Sequence, residues 1–331
     1  MGELRDDPYN QGVWARVFGG SQESSFGVGS KSEYVTFQAG YDYDFTFSNA
    51  KNYLGVAFSY ATSTSKSFDA FQNIANANAS ASNIVGIENI KSGAYEIAVY
   101  NSYISDSGWY NDSIAKFSYI DSTFNLTGSA NDSQTTNMAF TIGDEVGYRY
   151  KFAENEKGSW YVDPQVEIVF GYLDQSDFNS KMYSTATSSG YSTLNAYQDA
   201  VITLRTRVGA SLGKKFNTQK GFASVYVGAF YEYDYVEGGS SDVGVGSGAT
   251  NTLTPLSSSG RAVVNVGSNI ALTENARLYI DVEKSFGDKF KTHMQFNFGA
   301  RYSFGEKAPT ALSQENKSEN TPLKVSALPK K

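Results

Sequence analysis

Residues 35–45 read Val35-Thr-Phe-Gln-Ala-Gly-Tyr-Asp-Tyr-Asp-Phe45. Val35, Phe37, Ala39, Tyr41, Tyr43 and Phe45 alternate with Thr36, Gln38, Gly40, Asp42 and Asp44. Successive side chains of a strand point to opposite faces, so the stretch carries one apolar, aromatic face and one polar, acidic face. A soluble sandwich uses the same alternation, but its strands usually run about five or six residues, whereas a strand tilted across a bilayer needs about 9–11. The length of the run points to a transmembrane strand with its aromatic face in lipid and its acidic face in water.

The same period recurs along the chain. Leu54, Val56, Phe58 and Tyr60 alternate with smaller or polar residues, as do Trp160, Val162, Val166, Ile168 and Phe170. Ile202, Leu204, Val208 and Leu212 alternate with Thr203, Arg205, Arg207 and Ser211. Ala223, Val225, Val227 and Ala229 follow, then Leu278, Ile280 and Val282, and last Met294, Phe296, Phe298, Ala300, Tyr302 and Phe304. Twelve strands are expected near 12–22, 33–45, 52–64, 91–104, 108–125, 136–152, 158–174, 199–216, 221–236, 260–273, 276–288 and 292–304. The fifth does not alternate cleanly between Tyr110 and Phe124. An open sheet edge cannot sit in hydrocarbon, so the sheet must close. The expected fold is all-β: a closed antiparallel transmembrane β-barrel of about twelve strands, with short periplasmic turns and long extracellular loops. On this facing Val225 lies in lipid, where arginine near the midplane costs about 2–4 kcal/mol.

Connection lengths support the map. Short turns fall near Thr46–Lys51, Asp106–Gly108, Ala153–Gly158, Asn217–Gly221 and Thr273–Asn275, and longer polar loops near Gln22–Ser32, Ser65–Ile90, Asp174–Asp199 and Glu237–Ser259. An even strand number returns both chain ends to the same, periplasmic side. Of six prolines only Pro164 falls inside an expected strand, in keeping with its place at strand starts and bulges. Residues 1–11 read as a truncated linker, 12–304 as the barrel and 305–331 as a disordered periplasmic tail. The Ser65–Ile90 loop holds an apolar group, Phe68, Phe71, Ile84, Val85 and Ile87, suited to loop packing or a surface contact.

Composition narrows the chemistry. Charged residues are 18% of the chain, below the roughly 25% of soluble domains, while lipid-facing and water-facing halves average to a mean hydropathy of -0.39. No stretch approaches the roughly 18–20 apolar residues of a membrane helix. With no cysteine, a disulfide scaffold, a thiol nucleophile and a Cys-ligated metal are excluded. A net charge of -7 argues against a nucleic-acid partner held through phosphates. Met1 is followed by Gly-Glu-Leu-Arg without an apolar run, so a secretory signal is expected upstream or removed.

Four segments carry a resemblance. Gly12-Val-Trp-Ala-Arg-Val-Phe-Gly-Gly20 resembles the opening strand of autotransporter translocator domains. Glu145-Val-Gly-Tyr-Arg-Tyr150, Tyr161-Val-Asp-Pro-Gln165 with Gly171-Tyr172, and Arg205-Thr-Arg-Val-Gly209 are similar to that family's Glu-x-Gly-Tyr, Pro-Gln and Arg-x-Gly strands. The last strand, through Met294, Phe296, Phe298, Tyr302 and Phe304, resembles the C-terminal signal read by the barrel-assembly machinery, although the chain continues past Phe304. The loops resemble those of the vacuolating-toxin-like group of epsilon-proteobacteria. The resemblance implies a bacterial outer-membrane pore and anchor that exports an N-terminal passenger, with a linker helix plugging the pore. It implies the passenger, the assembly machinery and outer-membrane lipid with lipopolysaccharide as partners, a monomer, no cofactor and no enzymatic role. Residues 1–11 contain Pro8 and are too short for a pore-spanning helix, so passenger and linker are expected upstream.

The expected lumen-lining charges are Arg16, Glu145, Arg149, Glu167, Arg205, Arg207, Asp281, Glu283 and Arg301. They suit a polar conduit, or cross-strand ion pairs worth about 0.2–1 kcal/mol each, and the two roles are compatible. Glu145 and Glu167 lie on neighbouring strands, as an acid/base pair would require, but nothing else catalytic accompanies them. His293 is the only histidine and is expected at the extracellular rim. Tyr41, Tyr43, Phe45, Phe152, Trp160, Tyr172, Tyr302 and Phe304 read as interfacial girdles. The alternative to a translocator is a stand-alone porin or adhesin whose long loops bind a partner.

Overall fold

The computed structural model describes residues 4–307, apart from 6, 27–28, 46, 48, 68–86, 127, 185–186, 220, 247–249 and 254–255. The described chain is all-β. In order come β1 (Tyr9–Ser24), β2 (Ser30–Asp44), β3 (Ala50–Ser67), β4 (Ile87–Ser105), β5 (Trp109–Leu126), β6 (Ser133–Tyr148) and β7 (Tyr150–Asn155). Then come β8 (Gly158–Leu173), β9 (Ser176–Tyr183), β10 (Tyr191–Gln198), β11 (Val201–Thr218), β12 (Gly221–Gly238) and β13 (Ser241–Val245). The last are β14 (Asn251–Leu253), β15 (Ser259–Ala271), β16 (Ala276–Gly287) and β17 (Phe290–Lys307).

Twelve positions close the barrel. β1, β2, β3, β4, β5, β6, β8, β11, β12, β15, β16 and β17 pair in turn, antiparallel, and β17 returns to β1. β7 continues β6 beyond Arg149. The interruption has a local cause. β8 pairs with β6 as far as Gly147↔Gln165 and with β7 from Tyr150↔Val162, leaving Pro164 opposite the gap. Proline has no N–H to give the ladder. The Arg149 N–H donates instead to the Gly108 carbonyl at 2.9 Å.

Facing follows the period-two reading. Phe37, Leu54, Phe58, Val166, Ile168, Val225, Phe296 and Tyr302 project outward and are exposed, while Gln38, Tyr53, Asp42 and Ser303 are buried on the inner side. Inside, tyrosine rings lie over glycines directly opposite them in register, as with Tyr100 over Gly55, Tyr161 over Gly213 and Tyr279 over Gly299. A Cβ on any of these glycines would collide with the ring, so the close approach requires glycine. The girdle at the end where β1 begins and β17 ends, the termini of the described chain, is built by Tyr43 and Phe45, ring centroids 5.1 Å apart, with Tyr302, Phe304, Trp160 and the unexpected pair Trp109 and Tyr148 at 5.0 Å.

The fifth strand, expected over 108–125, is present as β5 and is paired with β4 and β6 from Tyr110 to Phe124 despite its uneven sequence. Other expectations change. β1 begins at Tyr9 and β17 runs to Lys307, so strand pairing extends beyond both expected barrel limits; residues 308–331 of the expected tail lie outside the described residues. The Gln22–Ser32 loop shrinks because β1 and β2 stay paired up to Ser24↔Ser30. The described residues of the loops at Asp174–Asp199 and Glu237–Ser259 are not irregular throughout. They form β9, β10, β13 and β14, which join as a four-stranded sheet. Its apolar side, with Leu194, Ala196, Phe178 and Val243, packs on Phe124 and Leu126 of β5 and Ile90 of β4. Strands longer than the roughly 9–11 residues of a crossing supply that extramembrane platform. Phe68, Phe71, Ile84 and Val85 lie outside the described residues.

Candidate functional site

The barrel wall presents polar side chains inward because every second residue of a strand must face the lumen. At the end bearing the termini these groups form a tight network. Arg301 on β17 donates from both terminal nitrogens to Asp42 on β2, at 2.7 and 2.6 Å, and from Nε to Asp7 at 2.8 Å. Asp42 also accepts from the Tyr100 hydroxyl at 2.8 Å, which in turn accepts from the Trp14 indole at 2.5 Å. Arg277 lies 3.4 Å from Asp7, and the Ser303 hydroxyl donates to Asp7 at 2.5 Å. Asp7 precedes β1 and is fully buried. Leu4 packs with Tyr53, Ile104 and Tyr110, so the segment before β1 turns inward across the base of the lumen.

A charged row crosses the wall higher up. Asp112, Glu145, Glu167, Arg207, Glu232 and Arg261 are register partners in succession on β5, β6, β8, β11, β12 and β15. Glu145 and Glu167 are thus directly opposed, and Gln165 donates to Glu145 at 3.2 Å. Arg207 lies 3.8 Å from Glu232 and 4.0 Å from Glu283 and caps the Phe230 ring at 4.0 Å. Arg261 bonds Glu232 at 2.5 Å and also Asp234, which Arg205 reaches at 2.8 Å. Arg149 pairs with Asp163 at 2.6 Å over the Tyr161 ring. Arg16 donates to Gln38 at 2.6 Å, and Tyr226 donates to Asp281 at 3.1 Å.

These groups surround a cavity of about 520 Å³, lined by four arginines and seven carboxylates. Twelve strands exceed the roughly eight whose inward side chains fill a barrel, which leaves the space. Asn265, Asn297 and Tyr279 line it with polar atoms that have no protein partner among the described residues, a lining suited to water.

Seven of the nine expected lumen charges line this cavity. Arg301 lies below, buried in the network with Asp42 and Asp7. Arg205 lies two residues beyond Arg207 toward the start of β11, its side chain 45% exposed. His293 lies on the rim opposite the termini, 2.9 Å from Glu23, which also pairs with Lys291. Asp42 stood on the acidic, water-facing side of residues 35–45 but was not named among the lumen charges, and Asp163, Glu232, Asp234, Arg261 and Arg277 were missed although their strand parity already marked them as inward. Asp7, outside any expected strand, carried no such signal.

The model of the family described as autotransporter beta-domain matches residues 13–283. The chain belongs to the autotransporter β-domain family. Its relatives include the serine protease EatA of Escherichia coli O78:H11, 27% identical over 308 residues covering 92% of this chain and 20% of that protein. SepA of Shigella flexneri is 28% identical over 306 residues, covering 92% of this chain and 20% of that protein. This β-domain therefore spans about one fifth of the curated relatives it matches. Among solved structures, the β-domain of the Bordetella autotransporter BrkA superposes with a TM-score of 0.62 at 20% identity, covering 89% of this chain and all of that one. The translocator domain of NalP from Neisseria meningitidis gives 0.61 at 14% identity, covering 91% of each. These likenesses show the fold. As an autotransporter β-barrel, the domain resides in the bacterial outer membrane.

Proposed function

We propose that this β-domain is the pore and anchor through which an N-terminal passenger reaches the cell surface. The course of the chain ahead of β1 carries the reading. Leu4 and Asp7 are held inside the wall, Asp7 by Arg301 and Arg277, so the chain feeds into the lumen rather than away from it. The lining carries four arginines and seven carboxylates beside a smaller apolar group that includes Trp14, Ile104 and Ile114, which suits the passage of a hydrated chain. The role is mechanical. The protease activity named for the relatives belongs to proteins five times longer than the matched part.

The test follows newly made protein on cells of the source organism with an antibody against the loops joining β8–β11 and β12–β15. A large precursor, retained or chased to a barrel-sized fragment, is the expected result. A product that is barrel-sized from the first minutes would instead leave a stand-alone porin or adhesin.

β17 is the assembly signal on this reading. Met294, Phe296, Phe298 and Tyr302 face outward beside the β1 seam, and the Phe304 ring lies 6.5 Å from Tyr41 and 6.4 Å from Tyr302. Phe304→Ala should lower the amount of folded, heat-modifiable barrel in the membrane. Normal levels at every growth temperature would remove the assignment.

A further inference from the structure

Above the outward aromatics at the end opposite the termini, lysines gather on adjacent strands. Lys31 on β2 and Lys66 on β3 are direct register partners. Lys91 on β4 is the partner of Thr64, two residues along from Lys66. All three are exposed and share the outward parity of Phe37, Phe58 and Tyr95. None makes an ion pair among the described residues. The row continues to β1 and β17 through Glu23↔Lys31 and Glu23↔Lys291, and Glu23 is bonded at 2.9 Å to both Lys291 and His293. Glu33, exposed beside Thr64, and Asp121 on β5 are the other carboxylates on and beside this face among the described residues. Asp121 has the outward parity of Phe117 and Tyr119, lies diagonal to Lys91 and accepts from Gln134 at 2.7 Å.

Like charges directly opposite one another on a sheet are destabilising. A facing lysine pair with a third lysine diagonal to it is therefore a site that gains from an anion. Its depth indicates which one. Tyr60 and Tyr95 face each other across the same strand pair with tilted rings, centroids 5.1 Å apart, and mark the hydrocarbon edge. Lys91 lies four residues beyond Tyr95, about 13 Å along the strand and about 10 Å in height once the barrel tilt is included. Exposed Thr62 and Thr64 stand between the lysines and offer hydroxyls to a sugar.

We infer that the outward face of β2–β4 at the loop end binds the phosphorylated sugar headgroup of lipopolysaccharide in the outer leaflet, with Lys31, Lys66 and Lys91 as the phosphate contacts. The inference rests on the outer-membrane orientation used above, with the termini in the periplasm.

The full chain, folded in detergent, is titrated with purified lipopolysaccharide, with the same material after removal of its phosphates, and with phosphatidylglycerol. The expected result is at least about tenfold tighter binding of the phosphorylated form than of the dephosphorylated form. The variant Lys31→Gln/Lys66→Gln/Lys91→Gln should abolish that preference. Its thermal midpoint should stay level or rise without lipopolysaccharide, since repulsion is relieved, and fall below wild type when lipopolysaccharide is present. Equal binding with and without phosphates, or an unchanged preference in the triple variant, overturns the inference. Equally tight binding of phosphatidylglycerol reduces the face to a generic anionic interface and overturns it too. The chain has no cysteine, so Lys66→Cys tests orientation separately by labelling intact cells with an impermeant maleimide. A labelled cysteine with no phosphate preference removes this site alone. An unlabelled one removes the orientation, and with it the export reading.

Discussion

Asp42→Ala should destabilise the barrel by about 3–5 kcal/mol, the cost of removing one partner from a buried ion pair. Asp42 is fully buried and Arg301 is 3% exposed. The carboxylate takes both terminal nitrogens of the guanidinium, at 2.7 and 2.6 Å, the fork geometry that makes arginine–carboxylate pairs strong. Without it, Arg301 keeps Asp7 and Ser303, and the Tyr100 hydroxyl loses its acceptor. Reversible denaturant unfolding in detergent measures the change. Trp14, bonded to Tyr100, should report it as a fluorescence shift even before unfolding. A loss below about 1 kcal/mol would mean that solvent reaches the network and that Arg301 does not depend on this partner.

Val227→Arg should cost about 2–4 kcal/mol for folding into vesicles, as expected of a charge at the lipid midplane. Val227 is 50% exposed, outward, and flanked in register by Leu212 and Val266, which are exposed as well. On β12 it lies midway between the girdle level at Ala223, whose partner is Phe216, and the tyrosines that begin at Tyr231. Val225 is also outward, as its parity requires, but it sits nearer the girdle, where the cost of arginine declines toward about 0–1 kcal/mol. The expected order is therefore Val227→Arg worse than Val225→Arg. Equal, negligible costs at both positions would show that this band does not face hydrocarbon.

Some features were legible because they are local. Alternation in residues 35–45 places Phe37 outward and Gln38 inward whatever the neighbouring strands are, since the pleat alone sets the side. The same argument holds for Val166, Val225, Phe296 and the inward charges from Arg16 to Arg301. The break between β6 and β7 was not expected, since 136–152 read as one strand, although the missing N–H of Pro164 is a property of the residue itself and was there to be used. The inward carboxylates on β2, β8 and β12 that were not named as lumen charges show that parity held more information than was drawn from it.

Other features depend on which strand meets which, and at what register. Arg301 and Asp42 stand 259 residues apart, and they meet only because β17 closes on β1 and β2 lies beside it. The row from Asp112 to Arg261 requires six strands in one common register. The lysine pair Lys31↔Lys66 exists only because β2 and β3 stay paired beyond the membrane. The polar loops between β8 and β11 and between β12 and β15 read as flexible from composition, yet they fold because an apolar platform on β4 and β5 is there to receive them. Asp7 is buried for the same reason, with an inward arginine waiting at the base of the wall. The sequence by itself determined the strands, their facing and the wet interior, since each follows from the backbone of a single strand. The register at which β17 meets β1, the identity of the side-chain partners and the folded extramembrane sheet came from the tertiary structure, since each depends on hydrogen bonds and packing between segments that the chain order does not bring together.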